Sequence, residues 1–370
     1  MQKILIITHA FLPDIGGGNI VAYDYANLLV SLGYDVTVLS KEYPAPIQNT
    51  AFRYLQVPNK YGDYLTEYNY CSYLKRMNLI DFDHIILNLC ISSSIAGRYF
   101  PESILSKCIS IIQGEEVEWI YDNKRFFSNL FHNIILCKKK YHLRALIGSR
   151  KIVSVSETHK NKVIRAAHLE KYEDKFQVVY TGIDKDVFHY VDSDFRAQHG
   201  LQNKRILISV SRIVKMKGYI EMFSIFKQIA ENICDVVWVI IGDGPFLNKL
   251  SDLISRNNLC NRVILLGRID RIDLKYYYSA ADCFWLLSNY DECLPLVYLE
   301  AQACGIPAIG RNKGGVVETI KHNETGFLVN SESECLDILL NEKYLDIEKD
   351  NLQSFVSKFD KICATKELIS

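Results

Sequence analysis

Two carboxylates eight residues apart, Glu292 and Glu300, stand in segment 288–307, directly after an apolar run that ends at Leu287. Pro295 suits the first position of a helix, where its missing N–H costs nothing. Glu300 then lies inside that helix and Glu292 just before it. The helix is predicted to end near Cys304, with Gly305 in its cap region. A helix N-terminus at the carboxyl end of a strand is a ready anion site, so the backbone N–H groups of Leu294 and Leu296 can face a phosphate. Carboxylates beside that point suit hydroxyls, because they accept hydrogen bonds from sugar O–H groups.

Groups that complement a diphosphate lie upstream. Arg212 and Lys217-Gly218 follow the apolar run 205–210. Arginine grips phosphate in bidentate fashion, and lysine adds a point charge. Gly242-Asp243-Gly244-Pro245 follows run 236–241, Gly267-Arg268 follows 263–266, and Gly314-Gly315 closes the series. Each reads as a loop over strand ends, where open α/β sheets place their ligands. Gly242 and Gly244 alone would suggest a dinucleotide, but position 247, where that fingerprint needs its third glycine, is Leu247. A nicotinamide enzyme is therefore disfavoured.

The elements that must hold these loops alternate between short apolar runs and helical stretches. The runs in the first half are 4–7, 36–39, 85–89, 109–112, 151–155 and 176–180, with a helix over 19–32 after the first. Residues 184–204 are polar and read as a linker. The pattern then restarts with 205–210, 236–241, 262–266, 283–287 and 308–309. Such runs read as buried parallel strands in right-handed βαβ units. The expected architecture is α/β: two Rossmann-like, doubly wound parallel-sheet domains facing across a cleft, 1–186 and 187–350.

Composition narrows the function classes. At 370 residues, two domains can each bury a core without staples. Lys+Arg and Asp+Glu are both 43, so a nucleic-acid binder relying on bulk charge is not expected. The 11 cysteines include no C-x-x-C pair, which argues against zinc or a disulfide framework and fits a reducing cytosol. No apolar run approaches the roughly 18 residues of a membrane span. The apolar start reads as a first buried strand, because Thr8 and His9 interrupt it, rather than as a signal peptide.

The ordered set of motifs resembles glycosyltransferase family 4, the group 1 retaining transferases of the GT-B fold. The family's E-x7-E element matches Glu292 and Glu300; its Arg…Lys-Gly element matches Arg212, Lys217 and Gly218; its G-D-G-P loop matches 242–245. Gly314-Gly315, Glu318, Glu324 and Gly326 match downstream. Pro13 with Gly16-Gly17 resembles the family's P-x-x-G-G loop, and Gly182, Asp184 and Phe188 its N-G-V-D-x-x-x-F element. The resemblance implies that Arg212 and Lys217 stabilise a diphosphate leaving group. It implies that Glu292 binds donor-sugar hydroxyls, Glu300 the ribose, and the backbone at Gly267, Arg268 and Ile269 the base. Gly16 and Gly17 would let their loop approach the reacting phosphate. Gln113 and Glu115 would face sugar or acceptor, and residues 351–370 would form a helix packing back on the first domain; His9, at the end of the first strand, reads equally as a group facing sugar or acceptor and as a satisfied core histidine.

The implied activity is transfer of a hexose-type sugar, with retention, from a UDP- or GDP-linked donor to a glycan or lipid-linked acceptor. Surface polysaccharide synthesis in a bacterium is the expected setting. No cofactor or metal is required, since Arg, Lys and a helix terminus supply the positive charge. One departure concerns the family's His-Gly pair, where this chain reads Gln113-Gly114. A glutamine binds a hydroxyl but cannot titrate. Thr181 stands where asparagine is usual, and Cys293 where glycine is frequent. Asp81 and Asp83 mimic a D-x-D metal motif, but they precede their strand, at the wrong end for a ligand, and read as a turn. Residues 119–151 carry eight lysines and arginines against Asp122 alone, interleaved with aromatics. They read either as a solvated helix side or as a patch docking on anionic membrane from the cytoplasmic side. A sugar-nucleotide epimerase or hydrolase, and a non-catalytic binding subunit of the same fold, are the alternatives.

Overall fold

The computed structural model describes residues 1–14, 16–61, 65–114, 116–121 and 138–370. The chain forms two compact units, Met1–Thr181 with Ile362–Ser370, and Gly182–Lys361. The first holds a parallel sheet of seven strands: β1 (Lys3–Thr8), β2 (Asp35–Lys41), β3 (Arg53–Val57), β4 (His84–Asn88), β5 (Cys108–Ile112), β6 (Lys151–Ser154) and β7 (Phe176–Val178). Their order is β3-β2-β1-β4-β5-β6-β7. The second holds six: β8 (Arg205–Val210), β9 (Val236–Ile241), β10 (Val263–Gly267), β11 (Cys283–Leu286), β12 (Ala308–Arg311) and β13 (Gly326–Val329), in the order β10-β9-β8-β11-β12-β13.

Continuous apolar runs make sense in such sheets, because both faces are covered. Along β1, Ile4 and Ile6 pack with Val21, Ala22, Tyr25 and Leu29 of the helix Gly17–Ser31. Leu5 and Ile7 point the other way, against Leu87, Ile95 and Ala96. In the second unit Trp238 and Trp285 are fully buried, their rings 4.9 Å apart. Ser209 Oγ joins them, accepting from Trp238 Nε1 at 2.9 Å and donating to the Trp285 carbonyl at 2.7 Å.

Two strands have no counterpart among the predicted runs, β3 and β13. Both are sheet edges. The β3 sequence mixes Arg53 and Gln56 with apolar residues and stays mostly half-buried, so it shows no continuous apolar run.

The first unit ends at Thr181 rather than at 186, and the returning segment begins at Ile362 rather than at 351. The cause is local. Ile183 N–H donates to the Phe359 carbonyl at 2.9 Å, and Asp184 pairs with Lys361, which fastens 183–184 to the segment before the last helix. Only the helix Lys361–Ile369 joins the first unit. Arg150 Nη2 donates to the Ile369 carbonyl at 2.8 Å, and Lys151 Nζ to that of Glu367 at 2.9 Å.

Candidate functional site

The second unit gathers its candidate residues at the carboxyl ends of β8, β9 and β11. The turn after β8 carries Lys217, and the loop after β11 carries Glu292. Lys217 Nζ lies 2.5 Å from Glu292 Oε1, and Ser288 Oγ donates to the same oxygen at 2.8 Å. Both partners are partly buried, their side chains 20% and 13% exposed. Asn289 N–H donates to the Met216 carbonyl at 2.8 Å, which holds the two loops in register. Gly315 N–H donates to the Glu292 carbonyl at 2.7 Å, so the Gly314-Gly315 turn closes over the same loop.

Arg212 is exposed, and its guanidinium has no carboxylate partner among the described residues. Its loop is braced by the 242–245 turn: Ile213 N–H donates to the Asp243 carbonyl at 2.8 Å. Gly242 has φ 143, and a Cβ there would fall 1.9 Å from the Ser211 carbonyl oxygen. Only glycine allows that approach. Gly242 N–H donates to the Gly267 carbonyl at 2.7 Å, which brings the 267–268 loop alongside, with Arg268 exposed.

The helix Leu296–Ala303 starts one residue later than expected. Pro295 is its cap, with φ −80 and ψ 101, and not its first helical residue. Leu294 precedes it and Leu296 opens it; first-turn N–H groups have no acceptor within the helix. Cys304 caps its C-terminus. Glu300 points inward, its side chain 4% exposed. Its Oε1 accepts from Arg271 Nε at 3.0 Å and Nη2 at 2.7 Å, and the Arg271 guanidinium sits 5.2 Å from the centre of the Phe188 ring. Glu300 thus stands apart from the Lys217–Glu292 pair and is held by its own arginine. Sequence reasoning missed Arg271. It lies 29 residues from Glu300, and no spacing links the two.

In the first unit the polar groups also collect at strand ends. Thr8 ends β1, Asn88 ends β4, and Gln113 follows β5. Asn88 Nδ2 donates to Thr8 Oγ1 at 3.0 Å and to the Gly18 carbonyl at 3.2 Å, and Gln113 Nε2 donates to Asn88 Oδ1. Thr8 and Asn88 were not singled out; their signal was a polar residue closing an apolar run. His9 lies just past β1, half-buried. Gly16 caps the helix Gly17–Ser31. A Cβ on Gly17 would meet nothing within 4 Å, whereas one on Gly18 would fall 2.8 Å from Leu89 Cδ2. The packed glycine of this loop is therefore Gly18, and the space at Gly17 is open. The loop is anchored through Asp14, which pairs with Lys41 at 3.0 Å and accepts from Tyr43 Oη at 3.1 Å.

Glu115 and residues 122–137 of the basic stretch lie outside the described residues. Of the remaining cations there, Arg144 is engaged by the Gly97 and Phe100 carbonyls and by Glu102. Asp83 accepts from Lys3 N–H at 2.8 Å at the amino end of β4, and Asn78 donates to Asp81 at 2.8 Å, so these carboxylates brace a turn. Among the described residues no cluster of three or more His, Cys, Asp or Glu is placed to hold a metal, and no helix is long and apolar enough to cross a membrane.

Residues 191–353 match the family described as Glycosyl transferases group 1. N-acetyl-alpha-D-glucosaminyl L-malate synthase of Bacillus anthracis is 32% identical over 176 residues, 47% of this chain and 43% of that protein. The GDP-mannose-dependent alpha-(1-6)-phosphatidylinositol monomannoside mannosyltransferase of Mycobacterium tuberculosis is 30% identical over 161 residues, 41% of this chain and 42% of that protein. The chain thus spans less than half the length of these curated relatives. Among solved structures, sucrose-phosphate synthase from Thermosynechococcus elongatus superposes with a TM-score of 0.81 at 20% identity, covering 99% of this chain and 97% of that one. Anabaena Alr3699/HepE, solved in complex with UDP-glucose, gives 0.77 at 19% identity, covering 100% and 98%. At such identities the likeness is one of fold, the GT-B fold of two parallel-sheet α/β domains. The match to the glycosyl transferases group 1 family lies wholly inside the second unit, the unit that gathers these loops at its strand ends.

Proposed function

We propose that the chain is a retaining glycosyltransferase that moves a hexose-type sugar from a UDP- or GDP-linked donor to a glycan or lipid-linked acceptor, with no metal taking part. The observation that carries this reading is the Lys217–Glu292 pair at the ends of β8 and β11, with Arg212 exposed at the end of the same β8 strand. Arg212, Lys217 and the first-turn N–H groups of the helix Leu296–Ala303 take up the diphosphate charge. Glu292 accepts hydrogen bonds from donor-sugar hydroxyls, and Glu300, oriented by Arg271, meets the ribose. The barrier falls mainly by stabilising charge on the departing diphosphate and by orienting the acceptor. A GDP-mannose-dependent relative and a structural neighbour solved with UDP-glucose support a nucleotide-linked donor. Synthesis of a bacterial surface polysaccharide at the inner face of the plasma membrane, reached through residues 119–151, is the setting we assign.

A thermal-shift and calorimetric screen of UDP and GDP tests the donor site, followed by release of nucleoside diphosphate from their sugar conjugates with and without acceptor. Arg212→Ala should weaken diphosphate binding and lower turnover about 100-fold or more while the fold persists. Wild-type turnover in that variant would defeat the assignment. Release that never depends on acceptor would point to a hydrolase.

A further inference from the structure

Beside Gln113 the first unit buries a carboxyl–imidazole pair that the transfer reading leaves unused. Glu116 is fully buried and His159 is 3% exposed. His159 Nε2 lies 3.0 Å from Glu116 Oε2. The same oxygen accepts the Gly114 N–H at 2.9 Å, and Oε1 accepts the Gln113 N–H at 3.2 Å. A buried carboxylate is costly unless it is paired and hydrogen-bonded, and here three donors meet it. Burial alone would raise its pKa. The His159 hydrogen bond and charge, with the Gly114 N–H, outweigh burial and hold the carboxyl below the usual carboxylate range.

The three donors come from two places. Two belong to the turn after β5. The third sits in the first turn of the helix Glu157–Ala167, where Ser156 Oγ accepts the His159 N–H at 3.2 Å. The pair therefore fastens the turn to a helix 43 residues further on.

What the turn presents is the side chain of Gln113, and its amide orientation is determined by its neighbours. Asn88 spends its Nδ2 hydrogens on Thr8 and Gly18, so its Oδ1 must accept, and Gln113 must donate through Nε2. Gln113 Oε1 has no donor among the described residues. An amide oxygen only accepts, so it suits a hydroxyl and disfavours a phosphate.

We propose that Glu116 and His159 are positioning residues: together they hold the Gln113–Gly114 turn so that Gln113 Oε1 accepts a hydrogen bond from a sugar hydroxyl. The hydroxyl rests on the transferase reading; the clamp on the turn does not.

Two measurements on the full chain separate these parts. Hydrogen–deuterium exchange, without ligand, follows the peptide containing 113–116. Steady-state release of nucleoside diphosphate follows UDP-glucose, UDP-N-acetylglucosamine and GDP-mannose. Glu116→Ala and His159→Phe should speed exchange of that peptide and lower kcat/KM roughly 10- to 100-fold, as misplacement of a substrate contact does. Binding of UDP or GDP should stay within about twofold, since misplacement at Gln113 spares nucleotide contacts. His159→Gln, whose amide N–H replaces that of the imidazole, should restore slow exchange and most of the turnover. Gln113→Ala should lower turnover without speeding exchange elsewhere.

Unchanged exchange at 113–116 in His159→Phe would overturn the clamp, and so would a His159→Gln variant no better than His159→Phe. Full turnover in Gln113→Ala would overturn the hydroxyl contact. If Glu116→Ala does not fold, the two His159 variants decide. If the wild type binds neither UDP nor GDP and releases nothing, the transferase reading fails, and the exchange comparison still decides the clamp.

Discussion

Lys217 and Glu292 meet at 2.5 Å across 75 residues of sequence, and Ser288 shares the same carboxylate oxygen. The lysine is thereby held in place by Glu292, and on the proposed transferase reading a diphosphate would compete with Glu292 for it. Glu292→Gln removes that competitor but keeps the side-chain shape. We expect UDP or GDP to bind as tightly as before, or tighter, while turnover falls about 100-fold, because the hydroxyl contact matters in the transition state. Calorimetry beside product release checks this. A parallel loss of binding and turnover would make Glu292 a structural residue only.

The glycines divide by what surrounds them. Gly242→Ala places a Cβ 1.9 Å from the Ser211 carbonyl oxygen at a φ of 143. It should destabilise the second unit by more than about 1 kcal/mol. Gly17→Ala meets nothing within 4 Å and lies in the first turn of a helix, so stability should hold or rise by up to about 1 kcal/mol. If the proposed donor site reaches this loop, turnover should nonetheless fall, since the methyl enters the space that is open at Gly17. Thermal melts paired with rates separate the two effects.

Glu300 depends on Arg271. Arg271→Leu leaves a carboxylate with a 4% exposed side chain without its two hydrogen bonds. Removing one partner of a buried pair is strongly destabilising, and the 30% exposure of the arginine side chain moderates the cost. We expect a loss of about 2–4 kcal/mol in denaturant unfolding, with Glu300→Gln milder. A loss under about 0.5 kcal/mol would mean that water replaces the arginine freely, as at a surface pair.

Acid should weaken the first unit in a defined window. His142 is fully buried, its Nδ1 2.6 Å from Tyr121 Oη, and burial pushes it down to about 4, against a small upward pull from Glu116. Its folded pKa lies below the unfolded value near 6.5, so the unfolded chain binds the proton first. The stability it contributes is complete above about pH 6.5 and is lost as pH falls toward 4, an effect on the order of 3 kcal/mol. His142→Phe should flatten the melting curve against pH across that interval. An unaltered slope would show that His142 does not govern acid sensitivity in that interval.

The alternation of apolar runs and helices was legible because buried parallel strands carry unbroken Ile, Val and Leu. Thus β8 and β9 coincide with their predicted runs, and β1 and β5 extend theirs by one or two residues. The edge strand β3 was not legible, since Arg53 and Gln56 interrupt its apolar residues and it stays mostly half-buried, and the four-residue β13 was not read as a strand either. Lys217, Glu292, Gly242 and Gly315 were readable as candidates, because loop glycines and charged residues after a strand have few other uses.

What the sequence by itself determined is the two-unit α/β plan and the set of groups at its strand ends. The tertiary structure decided which of those groups face one another. It paired Lys217 with Glu292, turned Glu300 inward to Arg271, and joined Glu116 to His159 behind Gln113. The reason is physical. A strand's apolar pattern depends on neighbours in the chain and can be read locally. A buried charge must find its counterion wherever the fold brings one, here 29 to 75 residues away.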